Sequence, residues 1–166
     1  MQSDQLTHHL RELQPDDADW IYRACQDAEI QRWTMVPRPY TREHAESFVH
    51  DRGGELAAYA IVHSSTDEAV GVVGIHHMRE GIASVGYWVA PWGRGRGAAA
   101  DALCVLRSII GRNAEAHTIR ALIAETNAAS RRIAQRAGLT MNGPDTTTCP
   151  DGTNQVVALR YEISAR

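Results

Sequence analysis

VGYWVAPWGRGRGAAADALCVL, Val85 to Leu106, decides how the rest of the chain is read. It runs from an apolar strand through a proline stop into a loop that alternates glycine with arginine, then directly into an alanine-rich helix. Gly93, Gly95 and Gly97 form the densest glycine run in the sequence, with Arg94 and Arg96 between them. Glycine lets main-chain N–H groups turn inward and admits a ligand close to the backbone. The following helix points its positive end at whatever the loop holds, and two guanidinium groups can fork onto phosphate oxygens. A flexible surface turn has the same composition, but here strand, loop and helix follow one another without a gap. The stretch reads as a pyrophosphate cradle.

Bulk properties bound what surrounds it. The 166 residues are expected to form one domain, 1–166, whose core needs neither metal nor disulfide. No apolar run approaches the ~20 residues of a membrane span, and MQSDQLTHHL lacks a signal-peptide core, so a cytoplasmic protein without membrane contact is expected. Cys25, Cys104 and Cys149 are odd in number and far apart, which suggests neither a disulfide framework nor a zinc site. Cys104, inside the alanine-rich helix, is expected to be a buried small hydrophobe. All 17 basic residues are arginine. Without lysine there is no P-loop, no Schiff-base amine and no kinase strand lysine. A net charge of −3 argues against a general nucleic-acid binder.

Taken in order, Leu6 to Leu13 reads as a strand, and Pro15 with its following acids starts a helix to about Asp27 that buries Ile21, Ala24 and Cys25. Glu29 to Thr34 reads as a further short helical turn, and Pro37 and Pro39 force an extended loop. Thr41 is placed to cap a helix over Arg42 to Asp51. Glu55–Ser64, Ala69–Met78 and Ile82–Ala90 are apolar strands with short connections, an antiparallel meander. The helix after the loop, Gly97 to Gly111, carries Ala98, Ala102, Val105 and Ile109 along one face. Thr118 to Glu125 is a buried strand, Asn127 caps a helix through Ala137, and strands at Leu139–Thr148 and Gln155–Ile163 close the chain. The predicted class is α/β (α+β): a mixed, mostly antiparallel sheet of about 6–7 strands flanked by helices, with a central β-α-β unit.

Gly93-x-Gly95-x-x-Ala98 also satisfies a dinucleotide fingerprint, so a nicotinamide-dependent oxidoreductase is an alternative. Three features oppose it. The preceding strand is reached by a hairpin, the place where a ribose-holding acid should stand reads His117-Thr118 with Glu125 too late, and no second mononucleotide half follows Ala137.

Val89-x-Pro91-x-x-Arg94-Gly95-x-Gly97-x-Ala99 resembles the acetyl-CoA signature of the GNAT N-acetyltransferase superfamily. The resemblance continues in ETNAASRRIAQRAGLT, Glu125 to Thr140, which is similar to the second GNAT motif with Leu139 in a phenylalanine position. EIQRWTMVPRPYTREHAESFV, Glu29 to Val49, and Val85-Gly86-Tyr87-Trp88 resemble the RimJ/RimL-type branch, which acetylates protein N-termini. The resemblance implies a GNAT-like acetyltransferase that uses acetyl-CoA as cosubstrate and no metal. It implies that the Val85–Ala90 and Thr118–Glu125 strands splay and that the pantetheine arm pairs with the first. The cofactor residues implied are Trp88, Val89, Arg94, Gly95, Arg96, Gly97, Ala98, Ala99, Asn127 and Ser130, with an N–H near Val89 polarising the thioester.

Transfer to an amine needs a neutral amine, a stabilised oxyanion and a proton for the leaving thiolate. Glu125, at the strand end beside the gap, is a candidate base acting through water. His76 and His77 are others by chemistry, although adjacent strand residues face opposite sides. Many relatives carry a tyrosine seven residues after the motif asparagine, where Ala134 stands here. Ser130 matches the serine that the branch places near the sulfur, and as an N3 residue it also suits a helix start. Arg131, Arg132 and Arg136 read as helix surface, with one available to a nucleotide phosphate. Trp33 and Tyr40, with Met35 and Pro37, could wall an acceptor pocket between the Gln31–Tyr40 loop and the Gly143–Gly152 connection. The acceptor is a small-molecule amine or a protein N-terminus, the assembly a monomer or homodimer. A non-catalytic acyl-CoA-binding regulator on the same fold is the rival reading.

Overall fold

The computed structural model describes residues 6–166; residues 1–5, part of the stretch read above as lacking a signal core, lie outside the described residues. Seven strands form one sheet: β1 His8–Glu12, β2 Ala57–His63, β3 Ala69–Arg79, β4 Ile82–Val89, β5 Thr118–Ala124, β6 Thr140–Asp151 and β7 Asn154–Ser164. Their order is β1-β2-β3-β4-β5-β7-β6, and β4 with β5 is the one parallel pair. Antiparallel pairing elsewhere follows from short turns; the parallel pair needs the helical crossover between them. One parallel pair among six is incompatible with a doubly wound dinucleotide domain, which removes the oxidoreductase alternative.

Helices α1 Asp17–Ala24, α2 Ala28–Trp33 and α3 Arg42–Asp51 cover one face; α4 Ala98–Ile110 and α5 Ala128–Arg136 cover the other. The alternation of strand side chains builds both cores. Ile61, Val73, Val85 and Ile123 pack under α4 and α5, whereas Ala58, Ala60, Val62 and Val72 pack under α1–α3. The Thr41 cap is present as a capping box with His44, and Asn127 Oδ1 accepts from the Ser130 N–H at 3.0 Å.

Four details differ from expectation. The first helix stops at Ala24 because Asp27 caps a separate α2, accepting from the Ile30 N–H at 3.0 Å. The buried stripe of α4 is Ala99, Ala102, Leu103, Leu106 and Ile110, and Val105 and Ile109 are only half-buried. The stripe is rotated because α4 packs both on the sheet and against α5. Cys104 lies on the half-buried flank of that stripe. The last strands are longer than expected and turn at Gly152 and Thr153. Among the described residues, no helix is long and apolar enough to cross a membrane.

Candidate acetyl-CoA and acceptor site

The site begins where two strands part. β4 pairs with β5 from Ile82↔Thr118 to Val85↔Ala121, and there the pairing ends. β5 turns instead to β7 and keeps that partner to Ala124↔Ala158. Residues 86–89 of β4 therefore face a gap. The Ala90 N–H donates to the Val70 carbonyl at 2.8 Å, towards β3. Backbone groups alternate along a strand, so the N–H groups of Val89 and Tyr87 point into the gap.

The glycine loop lies at the mouth of this gap. Gly95 and Gly97 hold φ of +76° and +80°, and nothing stands within 4 Å of where their Cβ atoms would project. This left-handed backbone is open to a ligand and strained for any side chain. Gly97 is the N-cap of the 13-residue α4, and no side chain caps the helix start. Its first N–H groups are directed at the shallow cleft formed by Val89, the loop and the start of α4, with Ile133 and Arg136 of α5 opposite. Donors, a helix dipole and a nearby guanidinium suit a pyrophosphate. The residues present fit CoA, and the cosubstrate supplies the acetyl thioester.

Among the implied cofactor residues, Arg94, Gly95, Gly97, Ala98, Ala99 and Val89 meet in this cleft. Arg96 is exposed beside them. The Arg94 guanidinium is not free: it pairs with Asp27 at 2.5 Å, on the cap of α2. The Trp88 side chain faces away from the cleft and packs on Trp20 of α1, ring centroids 5.8 Å apart, which leaves only its backbone beside the gap. Arg131 is engaged within the protein. Its Nε donates to the Tyr161 hydroxyl at 3.1 Å and its Nη1 to the Glu125 carbonyl at 3.1 Å.

Ser130 meets a residue that sequence reasoning missed. The Tyr87 hydroxyl lies 2.9 Å from Ser130 Oγ and donates to the Ser130 carbonyl at 3.1 Å. With that proton committed, Ser130 Oγ–H is the donor to the phenol oxygen. Burial pushes the Tyr87 phenol up to about 12. The position seven residues after Asn127, Ala134, is fully buried, and Tyr87 brings a phenol to the same corner from β4 instead. The available signal was strand alternation, which puts Tyr87 on the α5 side and Trp88 on the other.

Glu125 is exposed at the end of β5, and among the described residues no hydrogen bond or ion pair holds its carboxylate. Trp33 is half-buried, donates to Glu29 at 3.0 Å and carries Arg32 on its ring. Tyr40 is not a pocket wall. It is 6% exposed in the core under α1–α3, where burial raises its phenol beside Cys25. The expected closeness of the α2 region to the last hairpin is present: Arg32 Nε meets Asp151 at 2.7 Å, and the Gly152 N–H donates to the Arg32 carbonyl at 2.9 Å. Among the described residues, no group of three His, Cys, Asp or Glu side chains could hold a metal.

Residues 8–140 match the family described as an acetyltransferase (GNAT) domain, and the chain belongs to that family. No curated protein matches the sequence. The fold is similar to RimL, a ribosomal L7/L12 alpha-N-protein acetyltransferase in complex with coenzyme A, at 19% identity and TM-score 0.81 over 96% of this chain and 95% of that one. It is also similar to Mycobacterium smegmatis RimJ in complex with CoA-disulfide, at 21% identity and TM-score 0.82 over 95% and 82%. Aminoglycoside acetyltransferase AAC(6')-Ib, in complex with coenzyme A and kanamycin, matches at 16% identity and TM-score 0.76 over 95% and 94%. Such identities carry the fold and leave the acceptor open.

Proposed function

We propose that this protein, a single acetyltransferase domain, transfers the acetyl group of acetyl-CoA to a primary amine by direct attack within a ternary complex. The observation that carries the reading is the parting of β4 from β5 after Val85 beside an uncapped helix start. An extended arm can add to the free β4 edge while its pyrophosphate reaches the Gly95–Ala99 N–H groups. The Val89 and Tyr87 N–H groups are the donors available to the thioester oxygen. Ser130, hydrogen-bonded to Tyr87, is the group we assign to the departing thiolate, and Asn127 holds it by capping α5. Glu125 is a candidate base through water, and Trp33 the remaining candidate for the acceptor wall.

RimL among the similar folds supports an α-amine acceptor, and the aminoglycoside acetyltransferase AAC(6')-Ib supports a small amine. We favour the α-amine. With a pKa of ~7.7–8.0 it is partly neutral at pH 7, whereas a lysine amine near ~10.4 is not. The test is incubation with acetyl-CoA and a panel of N-terminal peptides, polyamines and aminoglycosides, following thiol release and product mass. Stoichiometric thiol and acetylated α-amine are expected. Tight CoA binding with no turnover across the panel would instead establish the non-catalytic regulator.

A further inference from the structure

On the opposite face of β4 from Tyr87 lies a second polar pair. Gly74 of β3 stands directly across from Gly86 of β4. Two facing glycines leave a shallow floor in a sheet otherwise covered by side chains. Two residues occupy it. A Cβ on Gly74 would lie 3.5 Å from the Glu55 carboxylate, and a Cβ on Gly86 would run into the His76 imidazole. Between them, His76 Nδ1 lies 2.6 and 2.8 Å from the two Glu55 carboxylate oxygens. The register of β3 against β4 shifts between Ile75 and His77, so His76 is the extra residue of a bulge. A bulge re-aims a side chain, and here it lays the ring over Gly86.

The position is specific. Gly86 is the first residue of β4 beyond its last pairing with β5, so the ring sits where the gap opens. Tyr87, the next residue, points to the other face and holds Ser130. Two proton-handling pairs thus flank one point of the gap from opposite sides of the sheet. Glu55 accepts from Nδ1–H, which fixes the tautomer and leaves the Nε2 lone pair unshared. Nε2 is the ring atom nearest Gly86, where the gap opens, and the side chain as a whole is about half exposed (47%).

We propose that His76, oriented by Glu55, is the base that takes the proton from the acceptor ammonium; this rests on the acetyltransferase reading above. Nε2 accepts one proton from the ammonium and later passes it to water. The neutral nitrogen attacks the thioester carbonyl carbon; its C–N bond forms and the C–S bond breaks. The nitrogen's surplus proton is lost to water, and the thiolate takes one from the Ser130 hydroxyl, which is reprotonated from water. An ammonium and a thioester thereby become an amide, a thiol and one released proton.

The experiment uses the full chain, acetyl-CoA and the best amine of the panel. His76→Ala is expected to lower kcat about 100-fold, with acetyl-CoA affinity by calorimetry and melting temperature unchanged. Added imidazole is expected to restore turnover in His76→Ala in proportion to its concentration, which a merely structural histidine would not allow. Glu55→Gln, a positioning variant, is expected to lose less and to add no further loss in the His76→Ala background, because the two act as a unit. A His76→Ala enzyme with wild-type kcat, or one that imidazole does not restore, overturns the proposal while wild-type turnover leaves the acetyltransferase reading intact. A kcat loss confined to Glu125→Gln would also overturn it and return the base to Glu125. Absence of wild-type turnover with every amine overturns both.

Discussion

The contact between Tyr87 and Ser130 joins β4 to the first turn of α5 through one phenol, and its removal separates two functions. Tyr87→Phe keeps the ring and its packing but deletes the hydroxyl that orders Ser130. The expected result is a kcat about tenfold lower or less, since proton delivery is impaired. Acetyl-CoA affinity should be retained, and stability should fall by about 1 kcal/mol, the net value of a hydrogen bond; steady-state kinetics, calorimetry and thermal melts read the three. The same burial gives an alkaline signature. The Tyr87 phenol moves from 10.0 to about 12 and the Cys25 thiol from 9.0 to about 12, both because burial disfavours their charged forms. For groups raised in the folded state, the native protein binds more protons than the unfolded chain between the two pKa values. Their stabilisation is complete below pH 9 and is lost as pH rises towards 12. Denaturant midpoints measured from pH 8 to pH 11 should therefore fall, and Cys25→Ala should flatten the earlier part of the decline.

Elements are held to one another by a few long-range stitches, and these mark what the sequence could not reveal. The caps at Thr41 and Asn127 and the glycine loop were legible because each is written in residues within one turn of each other, and the meander of β2–β4 because its apolar strands are joined by short connections. The stripe of α4 was misplaced by a residue or so, since alanine makes every face of that helix apolar. Tyr40 looked like a pocket wall because proline-rich flanks suggest a surface loop, and only the fold shows it against Cys25. Pairs such as Tyr87–Ser130 and His76–Glu55 are 43 and 21 residues apart, so register and a bulge create them. Asp17, 3% exposed, is another case: Arg11 of β1 reaches it with two bonds of 2.7 and 2.8 Å, and the Trp20 indole donates at 2.6 Å. Burial raises this carboxyl, but Arg11, Trp20 and the Gln14 N–H together outweigh it and hold it below the ordinary carboxylate range. Arg11→Ala strands the charge under α1, so a loss of about 3 kcal/mol is expected, less where water reaches the vacated site. Asp17→Asn in the same background should recover part of it, and chemical denaturation of the two variants measures both.

Across the whole molecule, α2 links the glycine loop to the last hairpin. At one end Asp27 caps it and holds Arg94 of the glycine loop; at its other end Arg32 holds Asp151, the last residue of β6 before the turn to β7. Thr126 at the end of β5 donates to the same Asp151 at 2.8 Å, so the clamp crosses the gap's far wall. A CoA phosphate and the Asp27 carboxylate are both acceptors for the Arg94 guanidinium, and they compete for it. Burial pulls the Asp27 carboxyl upward, yet Arg94 and the Ile30 N–H outweigh it and hold it below the ordinary range. Its contribution to stability is present above about pH 4 and is lost as pH falls through the depressed folded value. Asp27→Asn separates the two roles, because asparagine caps a helix about as well as aspartate but cannot pair with an arginine as an ion. The variant should bind acetyl-CoA several-fold more tightly, since Arg94 is released to the phosphates. Its melting temperature should fall slightly, and the loss should shrink on acidification towards pH 4, where the wild type loses the same pair. A variant that binds acetyl-CoA more weakly would show that Asp27 positions Arg94 for the phosphate, and α2 would then be a support for the cofactor site, not a competitor that the cofactor must displace.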